Sequence, residues 1–150
     1  MVREPEQYLC NGFNFKVSDL LLAIGNGQIE RLEEKKQHLL NVYKLYEDGL
    51  KESKFVDLIP IMHEQDKIPL CIDLKTEHRK KLEEFLMMQD IQISKFHKPV
   101  HTASYLGNFN PKSFPNSQRF SEQGFMPPCG PSQRFDNIYR TIDSILDFSV

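Results

Sequence analysis

No uninterrupted apolar stretch in this sequence exceeds five residues, Leu20-Leu21-Leu22-Ala23-Ile24, where a membrane-spanning helix needs about 20. No membrane segment is therefore expected. A secretory signal is not expected either, because Met1-Val2-Arg3-Glu4-Pro5-Glu6 carries acids where such a signal has its apolar region. Cysteine is scarce: there are three, odd in number and far apart, and no Asn-x-Ser/Thr acceptor accompanies them. A reducing intracellular setting, cytoplasm or nucleus, is the expectation. An excess of one charge is missing too, since 19 Lys and Arg stand against 21 Asp and Glu for a net charge of −2. No global field points to nucleic acid or an anionic membrane. The apolar share of 39% is below the roughly 45–50% of an ordinary globular chain, and 150 residues suffice for one domain.

The familiar catalytic motifs are absent as well. There is no Gly-x-Ser-x-Gly, no Gly-x-Gly-x-x-Gly and no Walker loop. Gly25-Asn26-Gly27 has neither a neighbouring lysine nor a second glycine set, so it reads as a turn. His97 and His101 have a zinc-like spacing, but no Cys-x-x-Cys pair completes a site, and Cys10, Cys71 and Cys129 read as reduced thiols. No catalytic residue, cofactor or metal is implied. The weak cue for an enzyme with an unfamiliar site is His63 and His78 near Asp66 and Asp73.

What is present is helical periodicity. Ser18-Asp19 caps Leu20-Leu21-Leu22-Ala23-Ile24, and Gly25-Asn26-Gly27 predicts a sharp stop. From Gln28 to Glu52 the residues Ile29, Leu32, Leu39, Tyr43, Tyr46 and Leu50 recur at steps of three and four, which predicts a long helix with an oligomerisation seam. The runs 55–62 and 68–74 read as a hairpin, with Pro60 and Pro69 confining the strands to edges. A further helix follows around Leu82, Phe85 and Leu86. The order of helix, hairpin and helix resembles prefoldin-type chaperone subunits as architecture alone, with no shared motif.

From Pro99 to Phe135 the composition shifts. This segment holds six of the nine prolines, only four charges, and spaced rings at Tyr105, Phe109, Phe114, Phe120, Phe125 and Phe135. It reads either as a recruiting arm or as a strap over its own module. It contains two copies of Ser-Gln-Arg-Phe, ending at Phe120 and Phe135. Arg119 and Arg134 supply a directional fork and the phenylalanines a rigid anchor. At the end, Phe135, Ile138, Tyr139, Ile142, Ile145 and Leu146 follow one helical face. The final Phe148-Ser149-Val150 is similar to a carboxyl-terminal peptide ligand.

The fold class read from these patterns is mainly α with a small β-hairpin (α+β). The expected parts are a flexible start at 1–12, a helix-helix-hairpin-helix module at 13–93, a Phe/Pro/Ser-rich arm at 94–134 that is disordered when free, and an amphipathic helix at 135–150. The function read from them is a non-catalytic intracellular adaptor or scaffold, a homo- or hetero-oligomer. Partner proteins would bind at Phe114, Arg119, Phe120, Arg134, Phe135, Ile138, Tyr139, Ile142, Ile145 and Leu146. The alternative is a nucleic-acid-associated regulator using Lys75, Arg79, Lys80 and Lys81. Nucleic acid is disfavoured, because Glu77, Glu83, Glu84 and Asp90 are interleaved with those cations.

Overall fold

The computed structural model describes residues 17–62, 67–95, 98–102 and 110–150. Cys10, His63, Asp66, His97, Tyr105 and Phe109 lie outside them. The chain divides into two compact units, residues 1–32 and 33–150.

The described part of the first unit is the helix α1, Asp19–Glu30. Ser18 caps it, its hydroxyl accepting from the Leu21 amide, and Asp19 lies in the first turn, favourable toward the helix dipole. The expected stop at Gly25-Asn26-Gly27 does not occur, and the helix runs on to Glu30, with Arg31 as its C-cap. Neither glycine takes a left-handed conformation. Glycine permits a stop but also tolerates a helix interior at about 1 kcal/mol.

The second unit carries α2 (Leu32–Gly49) from Glu33 onward, β1 (Asp57–Leu58), β2 (Leu74–Lys75), α3 (Arg79–Met87), β3 (Ser94–Lys95), α4 (Pro115–Gln123), β4 (Gly124–Met126) and α5 (Phe135–Leu146). The four strands form one sheet in the order β1-β2-β4-β3, every pair antiparallel. β1 and β2 do pair, and the Ile59 amide extends their ladder to the Asp73 carbonyl at 2.8 Å. They are not an isolated hairpin, because β4 comes from the Pro-rich stretch and inserts between β2 and β3. Leu74 faces Phe125, and Ser94 faces Met126.

The expectation of a helical module with a low-structure arm is therefore corrected. Within 110–130 the arm contributes a helix and a central strand, and Phe125 is fully buried. Its prolines sit where no ladder amide is needed. Pro115 opens α4 at the position where a missing N–H costs nothing, and Pro127 and Pro128 follow β4.

The core joins four layers of sequence: Val42, Tyr43 and Tyr46 from α2 with Leu50 just after it, Leu74 from β2 with Ile72 just before it, Leu82 and Leu86 from α3, and Ile138, Ile142 and Ile145 from α5. Phe148 completes it, edge-on to Phe55 at 5.9 Å and tilted to Phe85 at 5.6 Å. Gly49 permits α2 and α5 to approach closely, because a Cβ there would lie 2.7 Å from Ile142 Cγ2. Three residues past the end of α3, Asp90 has a left-handed φ of 56°, and the Ile91 amide reaches back to the Leu86 carbonyl. No helix among the described residues is long and apolar enough to cross a membrane.

Phe125→Ala should lower the free energy of unfolding by about 3–5 kcal/mol, whereas Phe120→Ala, at a ring that is 36% exposed, should lower it by well under half of that. Denaturant titration of the two variants checks this. Equal effects would mean that β4 is not part of the core.

Candidate functional site

The sheet register brings three distant segments to one edge. Lys75 in β2 stands opposite Asp57 in β1 and Gly124 in β4. Beside that row lies an open cleft of about 590 Å³. Four of its side chains are basic or can be protonated, Lys54, Lys75, His78 and Arg119, and two are acids, Asp57 and Glu77. Thr76, Gln123 and the Phe55 ring complete the wall.

Local chemistry fixes these positions. The Thr76 amide donates to the Gln123 carbonyl at 3.1 Å, which ties the end of β2 to the end of α4. Its hydroxyl accepts from the His78 amide at 3.1 Å. The His78 ring stands edge-on to Phe55 at 5.8 Å. His78 precedes α3 and gives no side-chain cap, so the first-turn N–H groups keep their partial positive charge beside the cleft. Lys75 Nζ lies 3.3 Å from Asp57 Oδ2, an exposed pair worth at most about 1 kcal/mol that an incoming anion can displace.

The expected basic cluster is split. Arg79 turns inward and donates to the carbonyls of Ser121 and Gly124, locking α4 and β4 onto the start of α3. Lys80 and Lys81 are exposed outside the cleft, and Lys75 faces Asp57. The four cations do not make one face for phosphate contacts.

The expected partner-binding residues scatter. Ile138, Ile142 and Ile145 are core. Phe135 stacks on His38 at 4.9 Å, Phe114 stacks on His101 at 4.7 Å, and Arg134 pairs with Asp136 at 2.9 Å. Tyr139 and Leu146 are exposed, as is Phe120 in α4. The two Ser-Gln-Arg-Phe copies are not a structural repeat, since one lies inside α4 and the other runs into the start of α5. Only Arg119 of this set reaches the cleft. Phe148, expected as part of a terminal ligand, is 5% exposed and packed in the core.

Of the expected seam, Tyr43, Tyr46 and Leu50 are core, Leu39 is half-buried, and Ile29 and Leu32 are exposed. The Tyr46 hydroxyl donates to the Pro128 carbonyl at 2.9 Å, and burial pushes its pKa up. The Tyr43 hydroxyl accepts from the Ile61 amide at 3.2 Å. Of the suggested histidine and aspartate cue, His78 reaches the cleft, whereas Asp73 is half-buried before β2, its carboxyl pushed up by burial. Among the described residues no group of three or more His, Cys, Asp or Glu could hold a metal ion.

Sequence reasoning did not single out Lys54, Asp57, Thr76, Glu77 or Gln123 for this cleft. No local signal marks them, because only the pairing of β1, β2 and β4 makes them neighbours.

A family model described as the DegT/DnrJ/EryC1/StrS aminotransferase family matches residues 2–146. GDP-perosamine synthase of Vibrio cholerae is 26% identical over 141 residues, covering 91% of this chain and 38% of that protein. Two solved structures share the fold. DesV of S. venezuelae in complex with a ketimine intermediate matches with a TM-score of 0.77 and 21% identity, over 97% of this chain and 40% of that one. The PLP-form of the Streptococcus pneumoniae sugar aminotransferase Spr1654 matches with a TM-score of 0.74 and 16% identity, over 86% and 35%. The chain thus spans well under half the length of the relatives it matches.

These matches overturn the reading as a non-catalytic adaptor or scaffold that recruits proteins through a disordered arm, and with it the nucleic-acid alternative and the likeness to chaperone subunits. The expectation that the chain belongs to no enzyme is overturned by the family match over residues 2–146, which none of the contiguous motifs sought in the sequence records. With all but a few terminal residues inside one family model, the chain belongs to the DegT/DnrJ/EryC1/StrS aminotransferase family.

Proposed function

We propose that the chain is part of an enzyme that transfers an amino group to a nucleotide-linked keto sugar, and that the cleft at the start of α3 receives the charged part of that substrate. The family match over residues 2–146 carries the reading of the reaction. The name of the Vibrio cholerae relative, a GDP-perosamine synthase, supports the substrate class. The cleft adds chemistry that suits it. A diphosphate calls for cations and helix N–H groups, which Lys54, Lys75, Arg119 and the uncapped first turn of α3 provide. Sugar hydroxyls are donors, and Asp57 and Glu77 are acceptors on the same wall.

Pyridoxal phosphate, held by the solved Spr1654 PLP-form, needs a lysine amine for its carbonyl and an acid or arginine at its ring nitrogen. The cleft does not fit that cofactor. Lys75 faces Asp57 at 3.3 Å, and Lys54 and both acids are exposed, so neither the amine nor the acids are held in an enclosed seat. The cleft suits a polar anion. An intracellular, cytoplasmic setting accords with the free thiols of Cys71 and Cys129. Of the sequence-derived contact seam, Ile29 and Leu32 remain on the surface for contact with a second chain.

Two measurements test this reading. The enzyme of which this chain is part, supplied with an amino-acid donor, pyridoxal phosphate and a panel of nucleotide-linked keto sugars, should yield the corresponding amino sugar by mass spectrometry. No product from any sugar would contradict the reaction. In calorimetric titration, GDP should bind, and Arg119→Gln should weaken it about tenfold, the equivalent of one charge-assisted hydrogen bond. Lys112→Gln, at an exposed residue that does not line the cleft, should leave binding unchanged. Equal losses from both variants would show a diffuse charge effect and remove the cleft from the account.

A further inference from the structure

Cys71 and Cys129 are distant in sequence and adjacent in space. The Ile72 amide donates to Cys129 Sγ at 3.4 Å, and that nitrogen is bonded to the carbonyl carbon of Cys71. Standard bond lengths then place the Cys71 Cα within about 6 Å of the Cys129 sulfur. The Cys129 sulfur thus lies against the stretch of backbone that carries the Cys71 side chain, and Cys71 is near enough to add to the upward push on the Cys129 thiol. Both thiols line one open trough of about 320 Å³, with Leu70, Met126 and Gln133 among its walls. Cys71 is exposed and Cys129 half-buried.

We propose that Cys71 and Cys129 form a reversible disulfide when the chain meets a disulfide oxidant such as glutathione disulfide. The exposed Cys71 thiolate attacks one glutathione sulfur, and the other leaves as a thiolate that takes up a proton. The Cys129 thiolate then attacks Cys71 Sγ in the mixed disulfide and expels the second glutathione. The two protein thiols lose two electrons and two protons, and the oxidant's S–S bond becomes two thiols.

The topology gives the bond a defined effect. Cys71 precedes β2, and Cys129 follows β4, the two central and directly paired strands. The bond staples those strands at one end of the sheet, while the cleft residues Lys75 and Gln123 lie at the other end. Oxidation should therefore make unfolding harder without closing the cleft. Burial and the neighbouring Asp73 charge push both thiols above their ordinary range. Thiolate is the attacking form, so the reaction accelerates as pH rises toward the thiol pKa values.

The test is to incubate the folded chain with glutathione disulfide at mildly alkaline pH, block free thiols by alkylation, and map peptides without reduction. A Cys71–Cys129 linked pair that dithiothreitol releases, together with a raised melting temperature, is the expected result. Cys71→Ser replaces an exposed side chain and should keep the fold by circular dichroism while losing the link, and Cys129→Ser should lose it too. Linked peptides containing Cys10, glutathione adducts that never resolve, or two free thiols after oxidation would overturn the proposal.

Discussion

The insertion of β4 between β2 and β3 is the contact on which the rest of this structure depends. Each strand is only two or three residues long, too short to be stable as an isolated pair. What holds them is the layer beneath, where Leu74 and Phe125 face one another at full burial among α2, α3 and α5. Without β4, β2 and β3 would each present a bare edge, and Arg79 would lose the Gly124 carbonyl it clamps. The cleft inherits its geometry from this insertion. Gln123 and Arg119 reach Lys75 and His78 only because α4 runs directly into β4.

The helices were more legible in the sequence than the sheet. A period near 3.6 is visible in a continuous stretch, and Ile138, Ile142 and Ile145 mark the buried face of α5 without any long-range information. The same periodicity could not say what those faces would cover. Tyr43 and Tyr46, regular enough to resemble a seam between chains, instead meet the Ile61 amide and the Pro128 carbonyl of their own chain. An amphipathic stripe has the same spacing whether its cover is internal or external.

The Pro-rich stretch misled for a related reason. Six prolines and few charges describe a chain that cannot propagate long ladders, yet β4 needs only three residues free of proline, Gly124, Phe125 and Met126. One fully buried phenylalanine contributes more than such a short strand loses in ladder bonds. The candidate cleft was the least legible feature, since Asp57, Lys75 and Gln123 come from three segments and have ordinary surface identities. Strand register, not composition, makes them a site.

Amide hydrogen exchange of the isolated chain addresses the central claim, that the segment 115–126 is an integral part of the sheet and builds one wall of the cleft. The Thr76 amide, bonded to the Gln123 carbonyl at 3.1 Å, and the amides of β4 should exchange on the slow timescale of the core helices α3 and α5, opening only with the whole second unit. Exchange of Thr76 and of 115–126 as fast as in a free peptide, with α3 and α5 still protected, would contradict the account.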